Sequence, residues 1–455
     1  MSLRDILKNL PEVVHPVEKK LSFNEKLKWT LVVLGAFFVL ANIPLFGLTN
    51  NALSRFEYLA IILGTDFGSI ISLGIGPIVM ASIILQLLVG AKILDINTRT
   101  DEGKKFFQGL QKILVLFFIL FEASVYVLMN GLEAVPGLQW LVILQLILGG
   151  LAIVFMDEVT QKWGFGSGVS LFIAAGIGWR LFSGLFQFVG RTGGIEYSGK
   201  VLVFVDSLMK GNTTMAMSAL SVILVTAVIF LFIVWTQSLK VEIPLSYDRL
   251  RGYNVKWPLA FFYASVLPVI LVSALSANIQ LFAGLLENWL GHATFLGGFS
   301  QGQPISGLAY WMGYNNILDL ALKGGLQMTF VYQGIVHILF YAVFATIFSV
   351  FWVKTSGMDA ESQAKNIMAS GLQIPGFRKD ERVLESVLSR YVMPLTIMGG
   401  AAIGLIAAIS DLVGALVGGT AVLLLVMTLY QFYQSIAQQH ALDMNPAMKK
   451  FMGSM

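Results

Sequence analysis

The chain has 455 residues, of which 30 are Lys or Arg and 26 are Asp or Glu; charged residues make up 12% and apolar ones 56%. Soluble domains carry about a quarter charged residues, so a chain with a mean hydropathy of +0.77 cannot clothe itself in water-compatible surface. The absence of cysteine excludes a disulfide scaffold, and 45 glycines amid long unbroken apolar runs fit helices rather than the alternating pattern of a barrel. What remains is an all-α polytopic membrane protein.

In chain order, residues 1–28 are charged and lack a central apolar run, so no cleavable leader is expected there. Leu3, Ile6, Leu7 and Leu10 recur at helical spacing before Pro11, which predicts a short amphipathic helix on the inner membrane face. A helix needs about 20 apolar residues to cross the hydrocarbon. Ten runs meet that need: 29–48, 70–91, 107–129, 138–156, 168–188, 216–239, 258–285, 329–353, 391–410 and 417–438. Between the first two, residues 53–64 are too short to cross and carry Arg55 and Glu57, which predicts a re-entrant or interfacial half-helix, at membrane depth only within a protein-lined or wet cavity.

Cation counts orient the chain. With both termini inside, the inner segments hold 24 of the 30 Lys and Arg residues and the outer segments 6. The expected organisation is an inner segment 1–28, a first half 29–188, a second half 216–438 with inner loops 240–257 and 354–390, and an inner tail 440–455. Span two carries Pro77 and Gln86, and span seven Pro268 and Gln280. Span five opens at Gly166-Ser167-Gly168 and span ten at Gly418-Gly419-Thr420. Five spans is an odd number, so halves paired in this way would be inverted across the membrane.

Reacting chemistry is scarce. Glu122 is the one carboxylate read well inside a span, and the scattered histidines (His15, His292, His337, His440) suggest no metal site. The stretch from Gly194 to Val201 mimics a phosphate loop but lacks the magnesium-binding hydroxyl and a preceding strand. Asn212-Thr213-Thr214 is a glycosylation sequon on the outer side. Glu122 with Asn278 of span seven suggests a polar latch between helices, worth on the order of 1 kcal/mol in lipid.

Several runs together resemble the SecY family, the channel subunit of the protein translocon, in its archaeal and eukaryotic branch. They are Leu73–Val79 (LGIGPIV), Phe107–Lys112 (FQGLQK), Gly166–Gly176 (GSGVSLFIAAG), Val241–Leu245 (VEIPL), Ala277–Phe282 (ANIQLF), Gly376–Lys379 (GFRK) and Arg390–Thr396 (RYVMPLT). The resemblance implies ten transmembrane helices in two inverted five-helix halves around a central pore. It also implies a protein-conducting channel, without cofactor or catalysis, in the cell membrane. Carried over by position, the pore ring would be Ile75, Val79, Val169, Ile173, Ile270 and Leu424. The plug would be Leu53, Arg55, Phe56, Glu57, Tyr58, Leu59, Ile61, Ile62, Leu63 and Gly64. The lateral gate would include Met80, Gln86, Glu122 and Asn278, with Met80 standing where the family usually has a small hydroxyl residue. Arg249, Arg251, Lys256, Arg378, Lys379 and Arg382 would dock on ribosomal RNA phosphates. The implied partners are the SecE/gamma-type and beta-type small subunits, the ribosome, signal sequences, nascent polypeptides and the lipid bilayer. A rival class, the secondary transporter with inverted repeats, would put convergent polar groups at the broken helices; here aliphatics stand there.

Overall fold

The computed structural model describes residues 11–16, 21–55, 60, 64–90, 93–96, 100–188, 198–247, 254–300, 303–369, 372–373 and 380–444. The first half contains α1 (Phe23–Ala41), β1 (Leu48–Asn51), a 3-10 turn (Ala52–Arg55), α2 (Gly76–Gly90), α3 (Asp101–Leu128), β2 (Leu132–Ala134), α4 (Gln139–Trp163) and α5 (Gly168–Phe186). After α6 (Lys200–Met209) come α7 (Thr213–Gln237), β3 (Lys240–Tyr247), β4 (Asn254–Ala260) and α8 (Leu267–Leu290). Then follow β5 (Gly298–Ser300), β6 (Gln303–Ser306), α9 (Gly307–Met312), α10 (Ile317–Leu322), α11 (Met328–Thr355) and α12 (Ala360–Ala369). The chain closes with β7 (Leu372–Gln373), α13 (Glu381–Val413) and α14 (Gly419–Met444).

Among the described residues, eight helices are long and apolar enough to cross a membrane: α3, α4, α5, α7, α8, the run from α11 into α12, α13 and α14. The first two expected spans are shorter than their apolar runs. Run 29–48 ends as a helix at Ala41, because Pro44 and Gly47 (φ +84°) turn the chain into β1. Run 70–91 is helical only from Gly76, so α2 is 15 residues, about 22 Å at 1.5 Å per residue. Run 258–285 starts in β4; its helix begins at Leu267 with Pro268 in the first turn, where a missing N–H costs nothing. Asn212 accepts the N–H of Met215 at 3.2 Å, so the sequon asparagine is the N-cap of α7.

The strands are a departure from the all-helical expectation. β3 and β4 form a long hairpin with Lys240 opposite Ala260 and Ser246 opposite Asn254, and β7 adds to β3 through Ser246 and Gln373. Both supposed loops are therefore built: 240–257 as this hairpin, and 286–328 as the β5–β6 hairpin with α9 and α10. Ile243, Leu259, Leu384 and Leu388 share a small core that seats the β3–β4 hairpin on α13. At the opposite end of the bundle β1 pairs with β2. The residues expected as an N-terminal amphipathic helix, 3–10, lie outside the described residues.

Bundles in lipid gain little from apolar burial, because acyl chains are as apolar as Leu; close packing holds them instead. α13 and α11 meet in this way. A Cβ on Gly404 would stand 2.5 Å from the Tyr341 carbonyl oxygen, and one on Gly400 would strike the Ser349 hydroxyl.

Candidate functional site

Six aliphatic side chains from four helices meet in the central core. Ile75 stands at the entry to α2 with Val79 one turn on, the Val79 N–H reaching the Ile75 carbonyl at 3.0 Å. Val169 and Ile173 lie one turn apart at the start of α5, Ile270 in the first turn of α8, and Leu424 early in α14. All six belong to one continuous apolar cluster, and none is more than 9% exposed. None carries a hydrogen-bonding group, so the cluster can be displaced by a polypeptide without leaving a broken polar contact. Gly64 lies against it: a Cβ there would be 3.8 Å from the Ile173 nitrogen and 3.9 Å from Ile75 Cγ2.

Of the other residues expected in the short segment, Leu53 is fully buried and its N–H reaches the Gly131 carbonyl at 3.3 Å. Ala60 is buried beside it in the second core. The side chain of Arg55, and residues Phe56, Glu57, Tyr58, Leu59, Ile61, Ile62 and Leu63, lie outside the described residues. The 3-10 turn at Ala52–Arg55 is the part of the expected half-helix that is described.

The polar seam differs from expectation. Glu122 on α3 is fully buried, but it faces Gly76: a Cβ at Gly76 would stand 3.0 Å from a Glu122 carboxylate oxygen. Asn278 on α8 donates its Nδ2–H to the Ala274 carbonyl of its own helix at 2.9 Å. Both Glu122 oxygens, Asn278 Oδ1 and Gln86 Oε1 are buried without a hydrogen-bond partner. The Glu122–Asn278 latch is therefore not made, because Asn278 spends its donor on the preceding turn while Glu122 looks at α2. Met80, partly buried, packs against both the central and the second core, filling this seam with a flexible thioether.

Glu122 is also not alone among buried carboxylates. Asp157, near the end of α4, accepts the Val169 N–H at 3.0 Å, and Asp411, near the end of α13, accepts the Thr420 N–H at 2.7 Å and the Thr420 hydroxyl. Asp411 was missed because α13 runs three residues beyond the apolar run that ends at 410. His337 of α11 bonds the Met312 carbonyl through Nδ1 at 2.8 Å and brings Nε2 to 3.5 Å from Asp411 Oδ2. No sequence spacing announces that pair, since the partners are 74 residues apart.

Among the basic residues, Lys256 is exposed on β4 and ion-paired with Glu242 across the hairpin at 2.6 Å, and that bond raises its pKa. Arg382 is exposed in the first turn of α13, its N–H capped by Asp380 at 2.9 Å. Arg249, Arg251, Arg378 and Lys379 lie outside the described residues.

A bundle of apolar helices around a buried apolar centre, with unpaired polar atoms along one seam, is the architecture of a helical membrane channel. The SecY family model matches residues 69–433. The chain is 43% identical to protein translocase subunit SecY of Methanothermobacter thermautotrophicus over 451 residues, covering 98% of this chain and 97% of that one. It is 38% identical to the subunit of the same name from Pyrococcus furiosus, with 100% of both chains covered. Among solved structures it is similar to a protein-conducting channel (TM-score 0.84, 35% identity, 98% and 99% of the two chains covered). It is likewise similar to Sec61 in the canine ribosome–channel complex from the endoplasmic reticulum (TM-score 0.81, 34% identity, 98% and 99% covered). The chain belongs to the SecY family of protein translocase subunits: it is a protein-conducting channel and not an enzyme.

Proposed function

We propose that unfolded secretory polypeptides pass this membrane through a waist made by Ile75, Val79, Val169, Ile173, Ile270 and Leu424. The observation that carries this reading is that all six lie in one buried apolar cluster, with Gly64 seated against Ile173 and Ile75. At rest the cluster excludes water and ions by dewetting; in transit it yields to a chain because no polar bond must break. The segment 53–64 is the plug, closing the pore from the outer side.

The ten apolar runs act as ten spans in two inverted halves, 29–188 and 216–438, with both termini on the cytoplasmic side of the cell membrane. Apolar segments leave sideways between α2–α3 and α8–α11, at the seam lined by Met80, Gln86, Glu122 and Asn278. Partition decides the route: each Leu favours lipid by about 0.3–0.6 kcal/mol, whereas an Arg or Asp opposes it by about 3. The channel supplies no chemical energy, so a translating ribosome pushes the chain. Arg249, Arg251, Lys256, Arg378, Lys379 and Arg382 are the cations we assign to its RNA phosphates. Small SecE/gamma-type and beta-type subunits complete the assembly, and signal sequences are the ligands of the gate.

The deciding experiment is photocrosslinking from residues 75 and 270 to a nascent chain stalled in transit. Crosslinks from both, and none from the exposed Val228 on the outside of α7, are expected. Equal crosslinking from all three would overturn the waist.

A further inference from the structure

Between Glu287 and Asp319 the chain runs for 31 residues without a Lys, Arg, Asp or Glu. Among its described residues several polar groups are tied into the fold, while His292, Ser300, Gln303 and Ser306 stay exposed. Both Glu287 oxygens accept the Phe299 N–H, at 3.0 and 3.1 Å. Gln333 of α11 accepts from Asn315 and donates to the Tyr310 carbonyl, each at 2.6 Å, and His337 holds the Met312 carbonyl.

The large side chains left outside are apolar and aromatic. Phe295 is 84% exposed, Trp289 and Ile305 60%, Leu290 45%, and Leu308 and Trp311 44%. Leu308 donates its N–H to the Phe295 carbonyl at 3.1 Å, which sets these two residues side by side. Trp311 is one turn beyond Leu308, while Ala309 and Met312 turn into the fold. The patch continues an exposed apolar face of α11 that includes Met328, Tyr332, Ile335 and Leu339. In water a run of this kind would be an aggregation site. At the membrane–water boundary, aromatic rings with one wet edge are favoured, and an uncharged segment has no ion to desolvate.

We propose that residues 288–300 and 303–318 lie in the lipid headgroup zone at the end of the bundle opposite the β3–β4 hairpin, with lipid covering the patch. The segment then holds α8 and α11 at a fixed depth, independently of the core between them. This inference needs only that the helices cross the membrane; it does not depend on the waist or on the direction of transport.

The native chain has no cysteine, so single spin labels can be placed at Phe295→Cys and Ile305→Cys in the full-length protein. It is reconstituted in phosphatidylcholine–phosphatidylglycerol vesicles, with Val228→Cys (64% exposed on α7) as the lipid reference and Lys210→Cys (71% exposed) as the water reference. The expected result is an oxygen-to-nickel-chelate collision ratio at 295 and 305 at least threefold above that at 210. A ratio equal to that at 210 means a watery loop and overturns the proposal. Protection from both reagents means a protein cover and overturns it equally. In the cysteine-free protein, brominated lipid should quench Trp emission, and Trp311→Phe should remove part of that quenching; unchanged quenching counts against the proposal.

Discussion

Asp411 receives the backbone N–H of Thr420 at 2.7 Å at the turn into α14, as Asp157 receives that of Val169 at 3.0 Å at the turn into α5. In both, a carboxylate late in one helix satisfies the open N-terminus of the next. A glycine lets the chain fold back against it: a Cβ on Gly168 would stand 2.6 Å from the Asp157 Cα, and one on Gly419 would overlap Ser410. Replacing either carboxylate by Ala leaves buried donors unpaired, at about 1–3 kcal/mol each. Asp157→Ala and Asp411→Ala should each lower the detergent-solubilised melting temperature, and the Asn variants, which keep an acceptor, should recover most of the loss. An Ala variant as stable as the parent would mean the carboxylate is not the cap.

The proposed waist makes a second prediction. Ile75→Ser, Val79→Ser and Ile270→Ser together put hydroxyls where the cluster has none, so water can wet it. Resting ion conductance in planar bilayers should rise severalfold over the parent. Unchanged conductance would remove these residues from the constriction.

The letters alone leave each of the six aliphatics as plain core or lipid contact, and the structure adds that all six lie in one buried apolar cluster. The family resemblance supplied their common address. The seam was read less well: which way Asn278 spends its amide depends on competition with the Ala274 carbonyl one turn away, which composition does not encode. The β3–β4 hairpin was hidden for a related reason. Lys240 to Tyr247 mixes Glu242, Pro244 and Ser246 with apolar residues and buries Ile243 in the small core shared with α13, so its pattern passes for a loop. Asp411 shows the limit of hydropathy boundaries, since the helix outlasts the apolar run.

Glu122 offers a third prediction. Its oxygens are buried and unpaired, so the closed seam carries a polar group that an apolar residue would relieve. Glu122→Leu should raise the melting temperature and weaken insertion of marginally apolar signal segments, while strongly apolar segments still enter. Glu122→Gln should behave nearly as the parent. Faster insertion by the Leu variant would mean that Glu122 holds the seam shut through a partner.

Charge reversal at Arg249 and Arg251 tests the ribosome-docking role. Each lost phosphate contact reduces the salt slope of binding by about 0.7–0.9. The double Glu variant should bind ribosomes more weakly at low salt, and its affinity should fall less steeply as salt is added. Equal affinity and slope would assign those cations to topology alone.

The N-terminal segment predicts a pH dependence. Residues 11–16 are strapped across α3 and α4: the Val13 N–H reaches Glu158 at 2.9 Å, Lys162 reaches the Val13 carbonyl at 2.7 Å, and the Trp163 indole reaches the Val14 carbonyl at 2.9 Å. Glu12 sits 3.2 Å from both Lys112 and Lys162. Partial desolvation pushes the Glu12 carboxyl up, but bonds to Lys112 and Lys162 outweigh it and hold the group below its ordinary value. A carboxylate lowered by folding adds stability that is complete above its unfolded pKa, about 4.3, and is lost as pH falls through the folded value. Proteolytic protection of the strap should therefore be flat from neutral pH down to about 5 and fall below about 4. Because Glu158 keeps Lys112 at 2.6 Å, Glu12→Gln should weaken the strap at neutral pH without freeing it, and should flatten the acid limb. An acid limb of the same depth in Glu12→Gln would mean that Glu12 is not its source.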